Sequence, residues 1–416
     1  MTTPTYDMYR QTFALSLISN RGMDLSGTQQ ALLDQLQLEL SAFIAVNQQT
    51  PTPLTPSADF VQQYGDWELI WGPAGTAGTS GSWQVLNNAM YVAYCPAALL
   101  PGSTAASPVY VVAIAATNPA SAYDWVVEDV YVKDTVAFTG WDPLTTPYTK
   151  AKPNATTPLI AMGTAIGVGQ LLALTAPATA AGAGQSLQQL LAGLTPDPAA
   201  TIVFCGHSLA GALAPTLALY LTNQNTLGAF GRALVYPTAG PSPGNAAFAT
   251  LFGASFKPIT GSPATYQAWN QDLCNSLDVV PHAWLEKTLG QIPTLYNNTL
   301  LNCPRGILAA VAAAKRASHA SGIAYTPIQN VWLTGTTYTG GQLVVPPTTD
   351  EQFLLQLVQQ HMTAYWSGPN QQPGLILAGD LPQVTVPLLP GVTQIGQAAL
   401  LAAAEQSLSA VSKKVG

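Results

Sequence analysis

Ser208 is the residue around which reactive chemistry can be built. It sits in Gly206-His207-Ser208-Leu209-Ala210-Gly211, directly after the apolar run Ile202-Val203-Phe204-Cys205 and directly before the Ala/Leu-rich stretch Ala212–Leu221. The run reads as a buried strand and the stretch as a helix. A serine at an abrupt strand-to-helix turn is a nucleophile elbow, a strained turn that lifts the hydroxyl above the edge of a sheet. Gly206 leaves room for two backbones to pass closely. The usual elbow is Gly-x-Ser-x-Gly. Here Ala210 stands where the second glycine is expected, with Gly211 just after it, and the smallest replacement is expected to leave the turn intact. Such a serine performs acyl transfer. It needs a base to take its proton, an acid to hold the base, and donors for the oxyanion.

In folds built on this elbow the partners follow in the order serine, acid, histidine. Asp272 and Asp278 both qualify by order. The chain has four histidines. His207 adjoins Ser208 and must point elsewhere. His282 follows Asp278 too closely to be held by it easily. His319 lies in the Ala-rich helical stretch Gly306–Ser321 beside Lys315 and Arg316, which reads as a solvated face. His361 lies in the helical Phe353–Trp366, one strand-like segment (Val331–Val345) beyond Asp278. His361, His282 and His319 therefore all remain as bases by position. One oxyanion donor is the backbone N–H of the residue after the nucleophile, Leu209, and the other comes from the loop after a central strand.

The elbow Gly206–Ala214 resembles that of the lipase class 3 family, the fungal-lipase-like α/β-hydrolases, which reads Gly-His-Ser-Leu-Gly-Gly-Ala-Leu-Ala; only Ala210 departs. Further stretches are similar in the same order. Tyr110–Thr117 followed by Asp124-Trp125 resembles a family strand that runs into Arg-Gly-Thr or Arg-Gly-Ser and then Asp-Trp, with Ala115-Ala116 in place of Arg and Gly. Gly240, Pro241, Pro243, Gly244, Asn245 and then Phe248 resemble a stretch that closes a strand behind the nucleophile. Asp278-Val279-Val280-Pro281 resembles Asp-x-Val-Pro, and His361-Met362-Thr363-Ala364-Tyr365 resembles His-x-x-x-Tyr or His-x-x-Tyr. The resemblance spans Tyr91 to Tyr365. It implies Ser208, Asp278 and His361 as a triad and Thr117 as the second oxyanion residue through its backbone N–H and hydroxyl; Asp272 is then the spare acid and reads as a loop cap. It also implies a triacylglycerol lipase or carboxylesterase needing no metal or organic cofactor. Phospholipase A1, feruloyl esterase and polyester hydrolysis fall within the same chemistry.

The elements that must position these residues form a single α/β-hydrolase domain over 1–416, with a mostly parallel central sheet and helices on both faces. The core is expected at about 83–366, with N-terminal helices added in 1–56, a helical cap at 294–321 and a C-terminal extension at 368–416. Helices are read in the first twenty residues, in Gly27–Gln48 and in Ser57–Tyr64, strands at Trp67–Trp71, Trp83–Ala97, Tyr110–Ala116 and Arg232–Pro237, and a loop at Gly72–Gly81. Phe138–Thr157 reads as loop. The charge-free Leu159–Leu194 reads either as a lid, with Phe138–Gly184 gating the pocket, or as buried core helix. A docking helix is expected near Gln394–Val411.

Composition bounds the partners. Charged residues make up 8% of the chain and the net charge is −7, so no basic patch speaks for nucleic acid. No charge falls between Glu68 and Asp124 or between Lys152 and Asp197, which fits work near lipid or apolar polymer and transient contact with a lipid interface, and equally a secreted or environmental origin. No apolar run is long enough for a membrane span. Met1–Arg21 lacks a signal-peptide pattern, which leaves a cytoplasmic or non-classically exported protein, or a mature form. The four cysteines show no metal spacing; Cys205 reads as a buried filler, and Cys274 and Cys303 are either bridged in an oxidising compartment or reduced. The alternative to an enzyme is a non-catalytic lipid- or partner-binding protein on a hydrolase scaffold.

Overall fold

Side chains along the elbow strand divide by parity. Val203 and Cys205 pack into one apolar cluster, Ile202 and Phe204 into another. A strand apolar on both faces needs a helical layer on each. That is the arrangement in the computed structural model, which describes residues 4–80, 83–116, 131–145, 148–261 and 263–396.

The central sheet has seven strands: β1 (Glu68–Ser80), β2 (Trp83–Ala98), β3 (Ser107–Ile114), β4 (Asp197–His207), β5 (Phe230–Thr238), β6 (Leu273–Asn275) and β7 (Val331–Leu333). They lie side by side in chain order. β2 runs antiparallel to both β1 and β3, and every later neighbour pair is parallel. The expected mostly parallel sheet is present, but it begins at Glu68, ahead of the expected core boundary. The Gly/Thr/Ser-rich stretch read as a loop is strand: β1 stays paired to β2 out to Ser80↔Trp83, through register shifts between Leu69 and Trp71, Trp71 and Ala74, and Gly75 and Ala77. Bulges absorb residues of poor strand propensity when a long partner strand lies alongside.

One face is covered by the N-terminal helices Met8–Ile18, Gln29–Ser41 and Ala58–Tyr64. Each starts on a polar cap: the side chains of Asp7, Thr28 and Ser57 accept from the N–H groups of Arg10, Ala31 and Phe60. These helices are not additions to a finished core. Met8–Ile18 lies against β4, and its Met8, Phe13, Ala14, Leu15 and Ile18 join the same cluster as Val203 and Cys205.

The other face carries the elbow helix Leu209–Asn223 together with Met162–Ala173, Leu187–Gly193 and Ala246–Ser255. Met162–Ala173 packs on the elbow helix, with Val168, Leu171 and Leu172 buried. Exposing three such side chains would cost on the order of 5 kcal/mol, so the structure takes the core alternative for this segment and the lid expectation fails there. Phe138 and Trp141 are buried in the same cluster, although their stretch is irregular.

The helix Arg305–Ala320 lies within the expected cap. It packs beside the helix Asp350–His361, near a satellite cluster of Leu289, Ile292, Tyr296, Cys303 and Phe353. In the C-terminal extension Ile376 and Leu377 are buried, and Thr393–Gln394 pairs with Leu25–Ser26. Most of the expected docking helix, from residue 397 on, lies outside the described residues.

Candidate active site

Ser208 joins β4 to the elbow helix with φ 62° and ψ −128°. A left-handed φ is uphill for a residue with a Cβ. The conformation is held by main-chain bonds: Ser208 N–H donates to the Thr238 carbonyl at 2.9 Å, and Gly211 N–H donates to the Ser208 carbonyl at 2.8 Å. Close contacts explain the motif and its departure. A Cβ on Gly206 would fall 2.5 Å from the Ala210 Cβ, so the methyl of Ala210 occupies room that Gly206 leaves. A Cβ on Gly211 would fall 2.7 Å from both Gly240 Cα and the Thr238 carbonyl. The glycines this elbow requires are Gly206 and Gly211.

His361 is the last residue of the helix Asp350–His361, which Thr349 caps at its start. Its Nε2 lies 2.7 Å from Ser208 Oγ, and its Nδ1 lies 3.0 and 2.9 Å from Asp278 Oδ1 and Oδ2. A carboxylate accepts only, so the proton belongs on Nδ1 and Nε2 faces the serine hydroxyl as acceptor. Asp278 follows β6 and is fully buried. Its carboxylate also accepts from Val280 N–H at 2.9 Å and from the Tyr365 hydroxyl at 3.0 Å. Tyr365 in turn accepts from Asn275 N–H at 2.8 Å. This arrangement can deprotonate a serine and hold the resulting imidazolium. Tyr365 as a donor to Asp278 was not read from the sequence, although the spacing of His361 and Tyr365 carried the signal.

The remaining candidates stand apart. His282 Nδ1 is bonded to the main-chain carbonyl of Asp278 at 2.7 Å, and exposed His319 faces Glu286. His207 turns away from the serine as expected and is buried. Desolvation, then the nearby His361, push its pKa down to about 3. Asp272 accepts from Gly240 N–H at 3.2 Å and from the Cys274 thiol at 3.3 Å, and burial pushes it up to about 7. Cys274 and Cys303 are both free, so the bridge between them does not form.

For the oxyanion, Leu209 opens the elbow helix, where an N–H has no intrahelical acceptor. Thr117 lies outside the described residues. The strand that leads to it, β3, pairs Ile114 with Gly206 of β4, so the chain leaves the sheet level with the elbow. Ala116 N–H there donates to Asn20 Oδ1 at 2.7 Å.

Residues 142–287 match the Lipase (class 3) family. The matched span contains Ser208 and Asp278; His361 lies beyond it. Among solved structures, a lipase designated M37 is similar at a TM-score of 0.62 with 24% identity, covering 86% of this chain and 91% of that one. A lipase from Rhizopus microsporus var. chinensis gives 0.36 with 13% identity, over 69% and 72% of the two chains. The Yarrowia lipolytica LIP2 lipase gives 0.39 with 17% identity, over 68% and 77%. No curated protein matches. The fold is that of the α/β-hydrolases, and the class 3 lipase match supports a lipolytic ester hydrolase.

Two stability predictions follow from these contacts. Gly211→Ala should cost about 2 kcal/mol or more, because overpacking here meets backbone, while Ala210→Gly should cost under about 1 kcal/mol. Urea unfolding of both variants checks the order; equal losses would refute it. The second concerns pH. From pH 3.8 to about 7 the folded chain keeps a proton on Asp272 that the unfolded chain releases, so stability falls as pH rises. From about 3 to 6.5 the unfolded chain takes a proton on His207 that the folded chain does not, so stability falls as pH falls. Asp272→Asn removes only the first slope. Unfolding at about pH 4, 6 and 8 should show the variant gaining on wild type as pH rises, by on the order of 4 kcal/mol in all. A constant offset would sink this assignment.

Proposed function

We propose that the chain is a serine carboxylic-ester hydrolase, a triacylglycerol lipase or carboxylesterase, acting through Ser208, His361 and Asp278. The observation that carries this reading is the single imidazole of His361, which reaches the Ser208 hydroxyl with one nitrogen and both oxygens of buried Asp278 with the other. His361 Nε2 takes the hydroxyl proton as Ser208 Oγ attacks the ester carbonyl. Asp278 stabilises the imidazolium. Leu209 N–H, at the positive end of the elbow helix, holds the oxyanion, with Thr117 as the second donor that the family resemblance implies. On collapse, His361 gives the proton to the leaving alcohol. Water then enters, loses a proton to His361 and releases the acid from the acyl-enzyme. The substrate is a lipid or another ester, met in transient contact with a lipid interface.

Hydrolysis of p-nitrophenyl esters from acetate to palmitate tests the reading. Ser208→Ala and Asp278→Asn should each lower kcat by about 10⁴-fold or more with the fold intact. A maximum at long chains marks a lipase with an apolar acyl groove, and one at short chains a carboxylesterase. A folded wild type that turns over none of the series would overturn the proposal in favour of a binding protein on the same scaffold.

A further inference from the structure

We propose that His207 is a positioning residue for the general base: its imidazole holds the backbone carbonyl of His361 and so fixes the distance between His361 and Ser208. The inference rests on the catalytic reading of those two residues.

The last carbonyls of a helix have no intrahelical partner. At the end of Asp350–His361 two consecutive ones are taken by side chains from the sheet. Asn275 Nδ2, on β6, donates to the Gln360 carbonyl at 2.9 Å. His207 Nε2, on β4, lies 2.8 Å from the His361 carbonyl. A carbonyl only accepts, so this Nε2 carries the hydrogen. Nδ1 is then the acceptor, and the Thr238 hydroxyl, 2.9 Å away, donates to it. The His361 carbonyl therefore fixes the tautomer, and the Thr238 hydroxyl, which can donate or accept, serves the nitrogen left as acceptor. The Thr238 main-chain carbonyl also receives Ser208 N–H.

These contacts form a closed circuit. From Ser208 the covalent chain leads to His207, the His207 ring leads to the His361 main chain, and the His361 ring returns to Ser208 Oγ. The His207 ring also packs against the His361 ring at 4.9 Å between centroids and edge-on to Tyr365 at 5.0 Å and Phe13 at 6.2 Å. A histidine suits the place because a rigid ring with nitrogens on opposite sides can span Thr238 and His361 at once. Burial keeps it neutral, so it adds no second positive charge beside the imidazolium.

The test compares His207→Phe, His207→Asn and His207→Gln. Phe keeps the ring packing without nitrogens, Asn can reach only the Thr238 side, and Gln can present an N–H near the former Nε2. Phe and Asn should lose about tenfold to a hundredfold in kcat, the scale expected of a misplaced catalytic group, with KM within about twofold. Gln should recover most of it. The proton between His361 and Asp278, followed by ¹H NMR on histidine-¹⁵N-labelled protein, reads the same alignment without substrate; its downfield signal should persist in wild type and His207→Gln and broaden in the other two. Unchanged kcat and signal in His207→Phe would overturn the proposal. So would a His207→Gln as impaired as His207→Phe, with a shared fall in melting temperature, since that marks a space-filling role. If the Phe variant does not fold, Thr238→Val decides: it should lower kcat about two- to fivefold in wild type and add nothing in the His207→Gln background, and additive losses would refute the coupling. A wild type without ester turnover would remove the catalytic reading alone, because the NMR comparison still decides whether His207 aligns His361.

Discussion

A serine held at φ 62° lies outside the backbone regions that a side chain favours, so the surrounding structure must hold it there. Two close approaches do so. Inside the turn, Gly206 faces Ala210; outside it, Gly211 rests on Gly240 with almost no space between the backbones. These contacts bring β5 against the start of the elbow helix, and the Thr238 carbonyl can then take Ser208 N–H. The position of Ser208 is thus set by packing between main chains. That explains why the substitution at residue 210 leaves the turn standing while Gly206 and Gly211 have no room for a side chain.

Around this turn lies a polar cluster enclosed by apolar layers. An unpaired polar group in such surroundings is costly, and a paired one is rigid. Asp278 illustrates the second case: His361, Val280 N–H and the Tyr365 hydroxyl all serve it. Asp272 shows another solution, since a buried acid that accepts from Gly240 N–H and a thiol is driven by desolvation toward its neutral form. Although the two aspartates lie close in the chain, their partners give them different chemistry. One faces an imidazole across the end of a helix, and the other braces the loop behind the elbow.

The N-terminal segment belongs to the same construction. Phe13 packs against His207 and Tyr365, and Asn20 fastens the chain where it leaves β3. Polar side chains are brought inside where they satisfy main-chain ends, as Asn245 does by accepting from Leu159 and Phe248 N–H groups and donating to the Thr157 carbonyl.

The sequence by itself determined the local elements. The strand, turn and helix at Ser208 follow from an apolar run, a small-residue turn and an Ala/Leu stretch, all within one short window. The order of acid and base narrowed their partners, and the resemblance of Asp278-Val279-Val280-Pro281 and of His361 through Tyr365 separated them from Asp272, His282 and His319. Tertiary structure alone decided what depends on contacts between distant residues. Glycines and threonines of Gly72–Ser80 became strand because β2 lay beside them. The segment Leu159–Leu194 left open a lid or a core helix, and for Met162–Ala173 burial against the elbow helix decided for core. The bond from His207 to the His361 carbonyl crosses 154 positions, and that from Tyr365 to Asp278 crosses 87. No propensity or periodicity records such a pairing, because hydrogen bonds between side chains and helix ends exist only once the helices have been placed on the sheet.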